Sequence, residues 1–241
     1  MAGNLLYGVN AVREALMQPD RINRVYFTKD SKIRDREALL ALVRTAGVPF
    51  DFIPLSKMNS MTGSTEHQGV AVAISPTSYI SLEECLDACE QNALLLVLDQ
   101  VQHPKNLGMI IRSAVGAGVA GILFPERGNA LVDDDVVRAS AGTVQRVPLV
   151  ACGNLSQAIL KLKNADFWVY ALESEAPQSV FRLDWPARCA LVVGNETQGL
   201  RPGVRKACDA GVGIPLANQL DSLNVAVASA IALFQYRARQ I

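Results

Sequence analysis

Three clusters in this chain gather side chains that can hold and activate a polar ligand. The first runs from Asp99 to Ala114 and contains Asn106, Gly108 and Arg112. It offers an amide that both donates and accepts, and a guanidinium that stays protonated. The second, Gly194-Asn195-Glu196-Thr197-Gln198-Gly199, follows the apolar run Leu191–Val193. Its carboxylate, Glu196, can accept from a ligand or fix an arginine, and Gly194 allows close approach to the backbone. The third is Ile214-Pro215-Leu216, a loop, and then Ser222-Leu223-Asn224, which adds a hydroxyl and a second amide. Together these groups can orient a polar substrate and stabilise developing negative charge. Each cluster also has a plainer reading. Asn106 and Ser222 are good helix caps, Arg112 can snorkel from a helix surface, and 194–199 can be a simple β-α turn.

The elements that must position these clusters follow from periodicity. Apolar strands are expected at Leu94–Asp99, Gly121–Phe124, Val147–Val150, Trp168–Ala171, Ala190–Val193 and Val212–Pro215. Helices are expected at Asn106–Ala117, Asp134–Thr143, Leu155–Asn164, Pro202–Ala210 and Ser222–Arg239. Continuous apolar strands alternating with helices predict an α/β fold with a parallel sheet covered on both faces. All three clusters then fall at the carboxyl ends of strands, where open sheets bind ligands. Upstream, helices at Ala11–Met17 and Asp35–Ala46 and strands at Arg24–Thr28, Phe50–Ile53 and Gly69–Ile74 predict a separate small α/β unit. The expected division is therefore 1–75, an acidic linker with a short helix over 76–92, and 93–241. The net charges of these segments are +2, −4 and +2, from 9 basic against 7 acidic, none against 4, and 14 against 12.

Composition narrows the function. Lys+Arg and Asp+Glu both number 23, which excludes a highly basic nucleic-acid coat while leaving room for a local basic groove. Only His67 and His103 are present, so a His-rich metal site is not expected and no metal is assigned. The five cysteines form no C-x-x-C pair and read as reduced, buried thiols in a cytosol. No apolar run reaches the ~18 residues of a membrane span, and Met1-Ala2-Gly3-Asn4 lacks the start of a signal peptide. The expected location is therefore cytoplasmic, away from membranes. Neither G-x-G-x-x-G nor a P-loop follows Asp99, which opposes a dehydrogenase-like or ATP-binding enzyme. Gly116-x-Gly118-x-x-Gly121 has the spacing, but it follows a helix and leads into a strand, so it reads as a helix C-cap and turn.

In this order and spacing, the clusters closely resemble the three signature motifs of the SpoU/TrmH family, RNA ribose 2′-O-methyltransferases of the SPOUT class. Asn106, Gly108 and Arg112 match N-x-G-x-x-x-R. Gly194, Glu196 and Gly199 match G-x-E-x-x-G. Ile214, Pro215, Ser222, Leu223, Asn224, Val225 and Ala228 match the third motif. Tyr7–Val12 and His67–Ala71 look like the family's substrate-binding domain, which resembles RNA-binding ribosomal proteins.

The resemblance implies a sheet whose C-terminal part is threaded into a trefoil knot, and S-adenosylmethionine as cofactor. Gly194, Ile214 and Leu223 would hold the cofactor. Arg112 would act at the reacting centre, with Asn106, Glu196, Ser222 and Asn224 around it. It also implies a homodimer, which fits a last helix that is apolar almost all round (Leu223, Val225–Ala228, Ala230–Phe234), although burial within its own chain is the competing reading. The substrate expected is a nucleotide, guanosine by the nearest subgroup, in 23S rRNA. A tRNA target and a non-catalytic RNA-binding protein are the alternatives. Whether Arg112 also takes the proton stays open. One position departs from the family pattern: His103-Pro104-Lys105-Asn106 has a histidine where the family usually has an acid. Cations expected to meet RNA in the small unit are Arg21, Arg24, Lys29, Lys32, Arg34 and Arg36, with a solvated mixed-charge face as the alternative.

Overall fold

The computed structural model of the chain describes residues 5–29, 36–75 and 78–240. They fall into two compact units. One runs to Ser78 and takes in Leu131–Asp134. The other holds Tyr79–Ala130 and the chain from Asp135 onward.

The first unit is built on strands β1 (Leu5–Tyr7), β2 (Ile22–Thr28), β3 (Phe50–Ile53) and β4 (Val70–Ile74), in the order β1-β4-β2-β3. β4 is antiparallel to β1 and β2, while β2 and β3 are parallel. Helices α1 (Val9–Ala15) and α2 (Arg36–Thr45) put Val12, Leu39 and Val43 against Val25, Phe27, Val70 and Val72. The alternate residues Tyr26, Ala71 and Ala73 form a second core with Met58 of α3 (Leu55–Thr62). Both faces of the sheet are therefore covered, which is why all seven residues of β2 are buried. The two helices and three strands expected here are present, with ends shifted by one or two residues. β1 and α3 were not expected. β1 has three residues, and α3 buries only Met58, so neither carries a periodic signal.

The paired segments Tyr7–Val12 and His67–Ala71 lie side by side. Tyr7 pairs with Ala71, the Gly8 amide donates to the Val70 carbonyl at 2.9 Å, and the Val9 amide donates to Gln68 Oε1 at 3.0 Å. His67 is buried. Its Nδ1 accepts from the Gly69 amide at 2.8 Å, so Nε2 carries the proton donated to Asn59 Oδ1 at 2.7 Å.

The second unit is a seven-stranded sheet in which every pair is parallel. Its elements are α4 (Leu82–Asp87), β5 (Ala93–Leu98), α5 (Pro104–Ala117), β6 (Gly121–Pro125), α6 (Asp134–Ala139), β7 (Leu149–Cys152), α7 (Leu155–Asn164), β8 (Trp168–Leu172), β9 (Gln178–Ser179), β10 (Arg188–Val193), α8 (Pro202–Ala207), β11 (Ala210–Gly213) and α9 (Val225–Ala238). The strand order is β7-β6-β5-β10-β8-β11-β9. After β5 the chain builds β6 and β7 to one side, then crosses to β8 on the other, and β10 enters between β5 and β8. The strand order thus reverses beside β5, which makes that point the expected ligand crevice. Among the described residues, no helix is long and apolar enough to cross a membrane.

Several expected boundaries are corrected. The last helix starts at Val225 rather than Ser222, because Asn224 caps it, accepting from the amides of Ala226 and Val227 at 2.9 and 3.4 Å. The first-motif helix starts at Pro104, so Asn106 sits in the first turn and is not its cap. The helix from Asp134 stops at Ala139; Gly142 then turns left-handed and Thr143–Arg146 form a 3-10 turn. The last long strand ends at Gly213, before Pro215. The segment expected as a linker has its Pro76 and Thr77 outside the described residues. From Tyr79 on it is folded onto the second sheet: Leu82 and Cys85 join its core, and the Ser81–Glu84 capping box starts α4. Gly118 is a left-handed C-cap of α5, as the spacing implied.

Candidate active site

Strands β5 and β10 lie side by side, so the loops that follow them emerge together. Asp99, expected as the end of its strand, lies directly after β5 and is fully buried. Its carboxylate accepts from the Arg201 amide at 2.9 Å and from Nε of the same residue at 2.7 Å, with a second guanidinium nitrogen at 2.7 Å. A buried carboxylate needs this much compensation, and the clamp fixes the far end of the Gly194–Leu200 turn. Within the turn, Asn195 Oδ1 accepts from the amides of Thr197 and Gln198 at 2.9 and 3.0 Å, and Nδ2 donates to the Gln100 carbonyl at 2.9 Å. Asn195 and Gly199 exchange backbone hydrogen bonds. A Cβ on Gly194 would stand 2.4 Å from the Gly199 carbonyl carbon and 2.6 Å from the Leu200 nitrogen. That glycine therefore first admits the chain's own turn.

The turn presents Glu196 to the first motif. Oε1 accepts from Asn106 Nδ2 at 3.0 Å, and the backbone amides of His103 and Gln102 point at the carboxylate from 3.4 and 3.5 Å. Asn106 Oδ1 in turn accepts from Asn224 Nδ2 at 3.2 Å. One hydrogen-bonded run thus joins all three motifs. Burial alone would raise the Glu196 carboxyl, but the donors from Asn106, His103 and Gln102 outweigh it and hold it below the usual carboxylate range.

Gly194, Glu196, Ile214, Ser222 and Leu223 line a cavity of about 380 Å³ at the carboxyl ends of the strands. Glu173, directly after β8, lines it too and accepts from Arg205 Nε at 2.7 Å. The sequence reading missed Glu173. Its only signal was an acid at the end of an apolar strand, the same signal that marks Asp99. Arg112 is elsewhere. Asn106 is buried, whereas Arg112 lies on the exposed side of α5, where it lines a second, open cleft with Asn106, Lys105, Met109 and Arg138. Three motif residues are hydrogen-bonded together, eight line the cavity (Gly199, Val225 and Ala228 besides the five above), and Arg112 reaches the cluster only through the cleft it shares with Asn106. Gly108 has a packing role: a Cβ there would lie 2.4 Å from the Ala139 Cβ.

In the first unit, Arg24 is not a free cation. It is buried and pairs with Asp51 at 2.5 Å. Arg36 stacks over Phe52, 5.2 Å from the ring centroid. Lys29 is exposed, and Arg21 is exposed beside the Ser75 carbonyl. Lys32 and Arg34 lie outside the described residues. No group of three or more His, Cys, Asp or Glu among the described residues is arranged to hold a metal ion.

With this geometry in hand, the relatives of the chain are informative. Residues 5–80 match the family model for RNA 2′-O ribose methyltransferase substrate binding. A 23S rRNA (guanosine-2′-O-)-methyltransferase, RlmB, of Xylella fastidiosa is 36% identical over 211 residues, covering 86% of this chain and 84% of that protein. Its counterpart in Pseudomonas putida is 34% identical, covering 98% and 97%. The AdoMet-bound rRNA methyltransferase from Sinorhizobium meliloti superposes with a TM-score of 0.61 at 25% identity, covering 99% of this chain and 88% of that one. Residues 93–234 match the SpoU rRNA Methylase model, and the chain belongs to that family.

Proposed function

We propose that this protein transfers a methyl group from S-adenosylmethionine to the ribose 2′-hydroxyl of a guanosine in 23S rRNA. The observation that carries this reading is the run Glu196–Asn106–Asn224, which ties the three motifs together beside the cavity lined by Gly194, Ile214 and Leu223. The chain is an RNA 2′-O-methyltransferase by family, and its curated relatives that act on guanosine in 23S rRNA match it over most of their length.

The cavity suits the cofactor. Its volume lies within the range of small-molecule sites, and the Glu173 and Glu196 carboxylates on its wall suit a ligand carrying an ammonium and a sulfonium. Gly194, Ile214 and Leu223 would hold it chiefly through backbone groups. When bound, the cofactor supplies an electrophilic methyl group, and the chain's residues do the rest. Asn106, kept in one rotamer by Glu196 and Asn224, fixes the wall between cavity and cleft. Arg112 orients the ribose hydroxyl through its guanidinium and stabilises the charge that develops on its oxygen. Ser222 offers a hydroxyl at the cavity mouth.

Around this site we read the first unit as an RNA-binding module akin to ribosomal proteins. The last strands are read as threaded into a trefoil knot, a reading supported by β10 entering between two strands formed earlier. Two copies would pair across the exposed face of α9, and the rRNA substrate carries a cytoplasmic location with it.

Mass-spectrometric mapping of ribose methylation, in cells with and without the gene, tests this. The expected result is one 2′-O-methylguanosine lost from 23S rRNA, restored by the wild type and not by Arg112→Ala. A nucleotide lost from tRNA instead would move the substrate. No loss in either pool would leave an RNA-binding protein without catalysis.

A further inference from the structure

The open cleft on the exposed side of α5 is chemically unlike the cofactor cavity. It measures about 960 Å³, and its lining includes Lys105, Arg112 and Arg138, the His103 imidazole, and the apolar Met109 and Ala139. Asp135 is the single acid in that lining, and it is paired with Arg138. Lys105, Met109 and Arg112 recur at i, i+4 and i+7, so they form one stripe along α5. Met109 is 44% exposed and stands between the two cations of that stripe. Arg138 is carried by α6, and α6 reaches α5 only because Gly108 has no side chain: a Cβ there would be 2.4 Å from that of Ala139 and 2.9 Å from the Val136 carbonyl. Thus the motif's glycine brings a cation over a cleft whose wall is Asn106.

We infer that this cleft seats the acceptor nucleotide of the RNA strand, with Lys105 and Arg138 anchoring the phosphates that flank the target ribose and Met109 forming the apolar floor beneath it. The inference rests on the RNA methyltransferase reading and deepens it. A nucleotide has the same division of character, with anionic groups at its ends and an apolar face between. Three fixed cations against one acid give the cleft an excess of positive charge that the chain as a whole, at net zero, does not have. The Arg138–Asp135 pair is mostly exposed on both sides, 72% and 62%, so it contributes little to stability. It holds the guanidinium over the cleft at little cost to exchange. A phosphate can replace the Asp135 carboxylate there, since it too takes a guanidinium through two hydrogen bonds.

The test uses the full-length protein and an rRNA transcript containing the mapped nucleotide, with KM, kcat and RNA affinity read across a salt series. Arg138→Ala and Lys105→Ala should each weaken RNA binding about tenfold at moderate salt. Each should also flatten the slope of log K against log[salt] by about 0.7 to 1. Cofactor affinity, measured by calorimetry, should stay at the wild-type value. Arg138→Lys should keep the wild-type slope and recover part of the affinity. Lys206→Ala, which removes an exposed cation on α8, is the control and should change neither. Wild-type KM and slope in both cleft variants would overturn the inference, as would an equal change in Lys206→Ala. A wild-type protein that does not methylate the transcript would instead count against the function itself.

Discussion

Asn106 donates to Glu196 Oε1 at 3.0 Å although 90 residues separate them in the chain. The bond exists because β5 and β10 are neighbours in register, from Ala93 with Arg188 to Leu98 with Val193. The strand order therefore builds the site, and the site reports on that order.

Removing the carboxylate should be costly. In Glu196→Ala, Asn106 Nδ2 and two backbone amides lose their acceptor, which should cost about 1–3 kcal/mol of stability and about 10²–10³ in methyl transfer through loss of preorganisation. Glu196→Gln keeps one acceptor oxygen and should fall between. The pH dependence has a definite sign. The folded carboxyl titrates below its ordinary value, so its stabilisation is complete above the unfolded value near ~4.3 and is lost as pH falls through the lower folded value. Urea titrations should show the gap between wild type and Glu196→Gln widest at neutral pH and closing below about pH 4. A gap independent of pH would contradict the assignment.

Two glycines of α5 should respond oppositely to alanine. At Gly108 a Cβ meets the Ala139 Cβ at 2.4 Å and backbone at 2.9 Å, so α6 must move, at about 1–3 kcal/mol. At Gly116 the nearest atom is the Phe234 ring tip at 3.3 Å, the end of a side chain that can turn away. There the gain in helix propensity, up to about 1 kcal/mol, should leave the protein as stable or more so. Thermal unfolding of the two variants checks this, and equal losses would refute it.

Legibility from sequence followed apolar period. The parallel strands and long helices were readable because each buries a continuous run or one face. The small unit's α3 was not, since Leu55–Thr62 buries only Met58. Residues with the right type at the right spacing were found, but their partners were not. Asp99 and Arg201 are 102 positions apart, and Glu173 and Arg205 are 32 apart. Such pairs come from strand order, which periodicity does not encode. The helix boundaries erred at polar residues with two roles: Asn224 caps α9 and also donates to Asn106. Gly194 and Gly108 were recognised as special, but the contacts they permit are made by the chain itself.

The thiols should be inert in the folded protein. Burial pushes Cys85, Cys152, Cys189 and Cys208 up to about 12, and the thiolate is the reactive form. Half-buried Cys89 is also raised by burial, with Arg188 opposing. An aromatic disulfide reagent at pH 8 should label at most one thiol, Cys89, in the native state, and all five once urea has unfolded the chain. Rapid native labelling of two or more would show that the core opens.

The last helix makes the quaternary reading testable. One side of α9 packs along α5, with Ala232 and Leu233 fully buried and Tyr236 edge-on to Trp185 at 5.9 Å. The other side carries Val227, Ile231 and Phe234 at i, i+4 and i+7, and Val227 and Phe234 are 49% and 48% exposed. An apolar stripe of this kind, about half open at Val227 and Phe234, suits a partner's matching stripe related by two-fold symmetry. Sedimentation should therefore give a dimer for the wild type at micromolar concentration. Phe234→Glu should give a folded monomer, because a charge buried across the interface is unpaired while the same charge on a free surface is solvated. Loss of methylation in that monomer, with each copy still binding cofactor, would place part of the working site across the pair. A wild-type protein that sediments as a monomer would remove the dimer from the mechanism.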